Sequence, residues 1–448
     1  MVTDPERSCK QILLSGAGTL SAMGVSLCVA MLSRMVLTRA LGPSDLGRYT
    51  LAILVPALAV VVAGFGLSTA SIYLIGSKQF KAGAVESTFL TASAAMALLC
   101  VAVCVLVPGV LPKALLQSER STLFAVCMAV PAALLTSTGL ALLQAHKLIR
   151  RYNYASTAMP LVTAAVFVTL HVAGALSFSS ALLSWAIGSY APAIMALGGL
   201  ATIAELRIEL RTDVLFAALR LAPRAYIANL AGFLVRRCDV ILVSMMCGTV
   251  ELGYYSVAFA TAELVWYLAT AVTTSLAPAV ARCSAGEATA ITAAVCRNIV
   301  FLVAFVLLCL LSVDRLLITG VFGRFFLPAV APFRWLLPGI LAATVDKVIS
   351  ADLIGRGRLT ITMVTSIVTL LTNLAANLVL IPRLGISGAA LASSLSYGVS
   401  AAIVFVFYVR LTSLPWSAAL VVQGDDFRMW KTGIGGVFGM RNRSAEHI

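Results

Sequence analysis

The sequence predicts an all-α integral membrane protein with about twelve transmembrane helices, arranged as two six-helix lobes with a parallel internal repeat. Of its 448 residues, 60% are hydrophobic and 11% are charged, whereas soluble domains are roughly 45–50% apolar and about 25% charged. Apolar segments of about 20 residues, the length that a helix needs to cross a bilayer, recur along the whole chain. Two similar 11-residue stretches, 42–52 and 248–258, share a common frame, which indicates two related halves.

Twelve apolar segments are the predicted spans. Their approximate limits are 13–38, 47–76, 85–107, 121–143, 155–173, 179–201, 222–247, 251–281, 290–312, 325–349, 359–381 and 386–410. The second and eighth are about 30 residues long, or roughly 45 Å of helix, so we expect them to tilt or bend. Gly64-Phe65-Gly66 and Pro278 are the predicted bend points.

The net charge of +14 indicates the orientation of the chain in the membrane. With the N-terminus inside, 21 of the 32 Lys and Arg fall in cytoplasmic segments and seven in outer segments. This positive-inside bias predicts that both termini are cytoplasmic, and the basic balance does not indicate nucleic-acid binding. The ten cysteines show no spacing typical of a metal site or a disulfide framework.

The repeated sequence has the frame G-x-x-[DE]-L-G-x-Y-[ST]-x-A. Each copy follows an odd-numbered span, so both copies face outward, and an offset of six spans makes the two halves parallel. We expect the repeated positions to act as a hinge. They are Gly42, Asp45, Gly47, Tyr49, Gly248, Glu251, Gly253 and Tyr255. The alternative is that both copies are interfacial helix-start signals.

The repeat and the charge distribution predict five regions. They are a cytoplasmic N-terminus at 1–11, an N-lobe with spans one to six at 12–201, a cytoplasmic linker between the lobes at 202–221, a C-lobe with spans seven to twelve at 222–411, and a cytoplasmic tail at 412–448. Acidic and basic residues alternate in the linker, which can lie as a short interfacial helix.

Charged residues within the spans are the candidate site. Arg236, Arg237 and Asp239 lie near the middle of span seven, where a charge costs roughly 2.5–3.5 kcal/mol on insertion scales. They must therefore face protein or water. Arg236 and Asp239, three residues apart, share a helix face and can pair, whereas Arg237 points about 100° away. The alternatives are a helix-packing pair and a water-filled cavity that receives an anion.

Further charges lie in other spans. Arg34, about one turn from the outer end of span one, can either snorkel outward or face a cavity, and Arg334 lies deeper in span ten. Glu263, near mid-membrane, is either a proton or cation site or the partner of an arginine on a neighbouring helix. Asp346 and Lys347, near an inner end, are predicted to neutralise each other.

The chain resembles a known family at several places. Arg39–Tyr49 resembles the first-loop signature of Wzx-type polysaccharide flippases, the oligosaccharide-lipid branch of the MOP superfamily. The resemblance covers roughly residues 10–411. The other matching segments are Asp239 with its apolar tail, Leu252–Ala258, Pro278 and Asn377–Ala390.

The resemblance implies a MATE-like fold of two six-helix lobes around a central cavity. It also implies a flippase of the bacterial cytoplasmic (inner) membrane. Such a protein moves polyprenyl-pyrophosphate-linked oligosaccharides from the inner to the outer leaflet by alternating access, for O-antigen, capsule or exopolysaccharide assembly. The implied partners are this lipid-linked oligosaccharide, the lipid bilayer, and a polysaccharide polymerase with its chain-length machinery. We expect a monomeric transport unit that is not an enzyme.

A pyrophosphate headgroup is strongly negative, and fixed arginines can replace its hydration. The expected headgroup contacts are Arg236, Arg237, Arg34 and Arg334. Asp239 would orient Arg236, and Glu263 could couple transport to H⁺ or Na⁺. The sequence predicts no catalytic residue, no metal site and no other cofactor.

Other functions stay open at this point. A MATE-type cation-coupled drug or metabolite antiporter would share the fold but have a cavity governed by carboxylates. Within the spans, four arginines stand against Asp239 and Glu263, which favours an anionic cargo. A lipid II flippase usually has two additional spans. A membrane glycan enzyme would need catalytic groups on a sizeable loop, and the outer loops here are short.

Overall fold

The computed structural model describes residues 5–76, 79–106, 120–203, 207–221, 223–281, 283–421 and 423. These residues form helices and turns, with no strand among them. The helices are α1 Pro5–Ala63, α2 Leu67–Gly76, α3 Ala82–Leu106, α4 Arg120–Ala145, α5 Ile149–Val172, α6 Phe178–Gly188, α7 Tyr190–Ala201, α8 Thr212–Leu221, α9 Pro223–Met246, α10 Thr249–Val280, α11 Ala285–Phe322, α12 Val330–Gly355, α13 Leu359–Leu384, α14 Ile386–Thr412 and α15 Trp416–Leu420, with a 3₁₀ helix at Arg324–Ala329. Residues 1–4 and most of the predicted tail lie outside the described part.

Nine of the described helices are long and apolar enough to cross a membrane, judged by length and composition. They account for ten of the predicted spans, because α1 contains the first two, and α6 with α7 forms the sixth. Spans seven and eight are α9 and α10, whose middles hold charged residues. The chain is therefore an all-α integral membrane protein, as the sequence predicts.

A single residue separates the first two spans. α1 is 59 residues long, and only Gly42 (φ 71°, ψ 179°) leaves the helical conformation. The predicted spans end at 38 and begin again at 47, whereas the helix includes the intervening residues except Gly42. Pro43 can begin a helix because its φ is already helical and its missing N–H is not needed there. Glycine adopts this backbone conformation without a steric penalty, so Gly42 alone redirects the chain.

The predicted bend in span two is confirmed. Gly64-Phe65-Gly66 forms a turn between α1 and α2, in which Phe65 has a φ of 42°. Such a φ is uncommon for a bulky residue, so the surrounding structure must hold it in place. The other predicted bend point, Pro278, lies within α10, which continues as a helix to Val280.

The largest apolar core joins the two halves of the chain. α10 packs against both α1 and α12. This core includes Leu46 and Tyr49 from the first copy of the repeat and Leu252 and Tyr255 from the second, each at most 6% exposed. Corresponding positions of the two copies are therefore buried alike, because the two copies pack against each other.

Helix α8 lies at the opposite end of the molecule from the repeat. Its Val214 and Ala218 are buried in an apolar cluster with residues of α2 and α3, whereas Phe216 is 65% exposed. We call this end the linker end, and the end that holds Gly42 and Gly248 the repeat end. The lobe limits at 12–201 and 222–411, and the location of 202–221 at a membrane surface, stay predictions.

Candidate functional site

The two copies of the repeat touch each other through a reciprocal pair of contacts. A Cβ atom added to Gly47 would lie 1.8 Å from the carbonyl oxygen of Thr249, and one added to Gly253 would lie 1.9 Å from the carbonyl oxygen of Pro43. Pro43 and Thr249 hold the same position in the repeat, as do Gly47 and Gly253. The two contacts are therefore related by a local two-fold axis, and they close the repeat end of the molecule.

Other repeat residues support this end. The Arg48 Nη1 atom lies 3.1 Å from Asp45 Oδ1, and the Arg48 guanidinium stands 4.5 Å from the centre of the Phe178 ring. Tyr49 packs edge-on against Phe167, with ring centroids 6.4 Å apart. Glu251 lies in the first turn of α10, where the helix dipole favours a carboxylate. Whether these positions act as a hinge stays a prediction.

A cavity of about 150 Å³ lies between α1, α9 and α10, next to the second copy of the repeat. Two arginines and one carboxylate face it from three different helices. Its lining residues are Arg34, Thr50, Ile53, Leu54, Ala57, Arg237, Val240, Tyr255, Ser256, Phe259, Ala260 and Glu263. The structure thus brings together three of the charged residues that the sequence singles out within spans.

Arg34 is anchored toward the cavity and does not snorkel outward. Its Nη2 atom donates to the carbonyl oxygen of Ser256 at 2.9 Å. Its Nε atom is buried and has no hydrogen-bond partner among the described residues. A buried donor without a partner costs free energy, so the Arg34 Nε–H is an unsatisfied group on a residue that lines the cavity.

Arg237 and Glu263 form a loose ion pair across the cavity. The Arg237 Nη2 and Glu263 Oε1 atoms are 3.6 Å apart, beyond the usual hydrogen-bond distance. The Arg237 guanidinium also stands 5.3 Å from the centre of the Phe259 ring, where the π face attracts a cation. Of the two interpretations of Glu263, the structure shows the partner of an arginine on a neighbouring helix.

The predicted pairing of Asp239 with Arg236 is wrong for the described residues. The Tyr255 hydroxyl donates to Asp239 Oδ2, and the Val240 N–H donates to Oδ1 at 2.8 Å. Asp239 is fully buried, because its side chain faces α10 and the tyrosine of the repeat. Arg236, only half-buried, has no hydrogen bond or ion pair within the described part of the chain. Asp239 thus does not orient Arg236.

Arg334 does not line the cavity, which corrects its predicted role. Its Nε atom lies 2.5 Å from Asp314 Oδ2 on α11, in an ion pair. The Asp314 side chain is 4% exposed and the Arg334 side chain 47%. The charge of Arg334 is therefore neutralised near the repeat end. A sequence analysis could have found Asp314, which lies just beyond the predicted limit of span nine.

Lys347 is a cation near the cavity, a location that the sequence does not predict for it. It is predicted to neutralise Asp346, but neighbouring residues on a helix point in different directions. The Lys347 ammonium donates to the Thr270 hydroxyl and lies 4.8 Å from the centre of the Trp266 ring. The Asp346 carboxylate instead accepts a hydrogen bond from Ser400 at 3.0 Å.

Contacts between the halves exist at both ends of the cavity. At the repeat end, Arg39 donates to the carbonyl oxygens of Val321 at 3.1 Å and Gly320 at 2.5 Å. At the linker end, the rings of Phe65 and Tyr226 stack with centroids 5.7 Å apart, and the Tyr226 hydroxyl donates to the Val62 carbonyl oxygen at 3.1 Å. The cavity therefore lies between two contacts that join α1 to helices of the second half.

The fold is similar to those of transporters and flippases of the MOP superfamily. The lipid II flippase MurJ in an inward-closed conformation superposes with a TM-score of 0.73 at 13% identity, covering 88% of this chain and 90% of MurJ. An inward-facing multidrug resistance MATE family transporter gives 0.66 at 14% identity, covering 86% of this chain and 94% of the other. A MOP superfamily transporter from Pyrococcus furiosus Vc1 gives 0.62 at 11% identity, covering 90% and 95%.

The described residues thus have the fold of an all-α membrane protein similar to MurJ and to MATE family transporters. The family model described as "Polysaccharide biosynthesis protein" matches residues 36–331. The chain belongs to this polysaccharide biosynthesis protein family. No curated protein matches the chain in sequence.

Proposed function

We propose that the protein is a flippase that moves polyprenyl-pyrophosphate-linked oligosaccharides from the inner to the outer leaflet of the bacterial inner membrane. The product would serve the assembly of O-antigen, capsule or exopolysaccharide, in contact with a polymerase and its chain-length machinery. The chain acts as a monomeric transport unit with both termini in the cytoplasm. The observation that carries the proposal is the cavity between α1, α9 and α10, beside which the Arg34 Nε–H has no partner among the described residues and Arg237 is only loosely paired.

The charges favour an anionic headgroup. Arg34 and Arg237 face the cavity with one carboxylate, Glu263, and the carboxylate of Asp239 is already held by Tyr255. Arginine binds phosphate oxygens through two parallel N–H bonds, and it is hydrated more weakly than lysine. A pyrophosphate entering the cavity would therefore find donors that the protein itself leaves unsatisfied.

The small cavity volume supports transport by alternating access. About 150 Å³ is less than the roughly 300–1,000 Å³ typical of small-molecule sites, so an oligosaccharide needs a larger opening. Separation of Phe65 from Tyr226 would open the linker end to one leaflet. Separation of Gly47 from Thr249 and of Gly253 from Pro43 would open the repeat end to the other leaflet. In a flippase the two events alternate.

A MATE-type cation-coupled drug or metabolite antiporter is the second candidate. The observation that favours it is Glu263, a carboxylate at the cavity wall that could attract a cationic substrate or couple transport to H⁺ or Na⁺. In the flippase, the same carboxylate would hold Arg237 until the headgroup displaces it. The two functions differ in the sign of the charge on the cargo.

The sidedness of lipid-linked oligosaccharides in cells that lack the gene separates the two candidates. We expect the lipid-linked oligosaccharide to accumulate on the cytoplasmic leaflet, with unchanged sensitivity to cationic drugs, because the cavity favours an anion. Reintroducing the gene serves as the control and should restore normal sidedness. Normal glycan sidedness together with a new drug sensitivity would instead establish the antiporter.

A further inference from the structure

The cavity cations continue toward the linker end in a series along α10. Arg34 is held at Ser256, Arg237 at Phe259 and Glu263, and Lys347 at Trp266 and Thr270. Ser256 and Trp266 are ten residues apart, or about 15 Å along a helix. One face of α10 therefore receives three cations from three other helices, at successive depths in the membrane. Only the first two line the cavity.

The third position of the series combines a cation with two aromatic residues. Trp266 and Tyr397 meet edge to face, with ring centroids 5.4 Å apart. The Lys347 ammonium covers the Trp266 ring at 4.8 Å. Arg236 makes no hydrogen bond with any described residue, and its charge interacts with Tyr397, Lys347 and the Glu263 carboxylate.

Both aromatic residues hold a buried donor that the protein does not use. The Trp266 Nε1 and Tyr397 Oη atoms are buried and make no hydrogen bond within the described part of the chain. Tyr397 is 3% exposed. Buried tryptophan and tyrosine side chains usually find a partner for their N–H and O–H groups. These two donors, close to Lys347, are therefore groups that a polar ligand could satisfy.

We infer that Lys347, Trp266, Tyr397 and Arg236 form a second subsite, for the sugar residue attached to the pyrophosphate. The inference rests on the proposed function and adds to it a place for the saccharide. The Trp266 N–H and the Tyr397 hydroxyl donate to sugar oxygens, and the two cations hold the adjoining phosphate. This subsite fills when the linker end opens, before the headgroup advances to Arg237 and Arg34.

Binding of two matched probes to the purified full-length protein in nanodiscs tests the subsite. The probes are a short-chain polyprenyl pyrophosphate and the same molecule bearing one N-acetylhexosamine. Each aromatic donor forms one hydrogen bond to the sugar alone. We therefore expect Trp266→Phe and Tyr397→Phe to weaken binding of the sugar-bearing probe about five- to tenfold and to leave the sugar-free probe unchanged. Lys347→Gln should weaken the binding of both probes.

Two variants serve as matched controls. Tyr408→Phe removes a hydroxyl on the same helix as Tyr397, but this hydroxyl donates to the Thr289 carbonyl oxygen. Trp335→Phe changes an exposed tryptophan. Both should bind the two probes as the wild type does. If the wild type binds both probes and the Trp266 and Tyr397 variants match it, the subsite is wrong and the flippase proposal stands. If the wild type binds neither probe, both are wrong.

Discussion

Replacing Arg237 with alanine is expected to abolish movement of the lipid-linked oligosaccharide while the protein still folds. Arg237 faces the cavity and is held only by Glu263 at 3.6 Å and by the Phe259 ring. Its loss removes a phosphate donor and leaves Glu263 as an unbalanced negative charge that repels the headgroup. Charge-assisted hydrogen bonds to phosphate are about twice as strong as neutral ones, so we expect a loss of at least about 100-fold in rate. The measurement is the sidedness assay in cells carrying the variant.

A double variant, Arg334→Ala with Asp314→Asn, is the matched control for Arg237→Ala, because it leaves no buried carboxylate without its partner. It removes an arginine of the same charge whose partner, Asp314, lies outside the cavity. We expect normal sidedness in that variant. Adding Glu263→Gln to Arg237→Ala should restore part of the transport, because the unbalanced carboxylate is gone. Normal transport by Arg237→Ala alone would contradict the assignment of the cavity as the headgroup site.

Tyr255→Phe is expected to destabilise the protein strongly by stranding the Asp239 carboxylate. Asp239 is fully buried, and the Tyr255 hydroxyl is its side-chain hydrogen-bond donor. A hydrogen bond to a charged group is worth about 1.5–3 kcal/mol, and a buried acceptor left without a partner costs more. We expect the free energy of unfolding in mixed micelles to fall by about 3 kcal/mol, measured by denaturant titration.

The neighbouring Tyr254 provides the control, because it packs edge-on against Phe326 with ring centroids 6.1 Å apart. Tyr254→Phe should leave the free energy of unfolding nearly unchanged. A double variant with Asp239→Leu and Tyr255→Phe should recover most of the stability, since replacing both partners of a buried hydrogen bond by apolar groups is often nearly neutral. Equal stability of Tyr255→Phe and the wild type would show that this hydrogen bond does not support the fold.

The sequence predicts the fold well because the features that determine the fold lie within short segments of the chain. Span lengths, the glycines at 64 and 66, and the repeated frame each describe a short stretch of chain, and the bilayer limits what such a stretch can do. The break at Gly42 is shorter than predicted. The length of a turn depends on the conformation that a single glycine adopts, which composition does not specify.

The candidate site is predicted only in part, because partner choice is a tertiary property. The cost of a charge in the membrane identifies Arg237 and Glu263, and the structure brings them together. Helical spacing predicts that Asp239 pairs with Arg236, but in the structure Asp239 accepts a hydrogen bond from the hydroxyl of Tyr255 on α10. The contacts of Lys347 with Trp266 and Thr270 on α10 are likewise not predictable from helical spacing. Long side chains contact residues on neighbouring helices, whereas spacing in the sequence predicts only which residues are neighbours on the same helix.

The most direct test of the proposed function is flipping by the purified protein in liposomes. A fluorescent polyprenyl-pyrophosphate-linked saccharide is placed in both leaflets, and a membrane-impermeant quencher is added outside. The quencher removes the fluorescence of the outer leaflet, so the remaining fluorescence reports probe that has not moved out of the inner leaflet. We expect the protein to carry the probe across the bilayer, and we expect excess inorganic pyrophosphate to slow it by occupying the arginines. Liposomes that flip no probe, yet exchange a cationic dye for H⁺ or Na⁺, would contradict the account and establish a MATE-type antiporter.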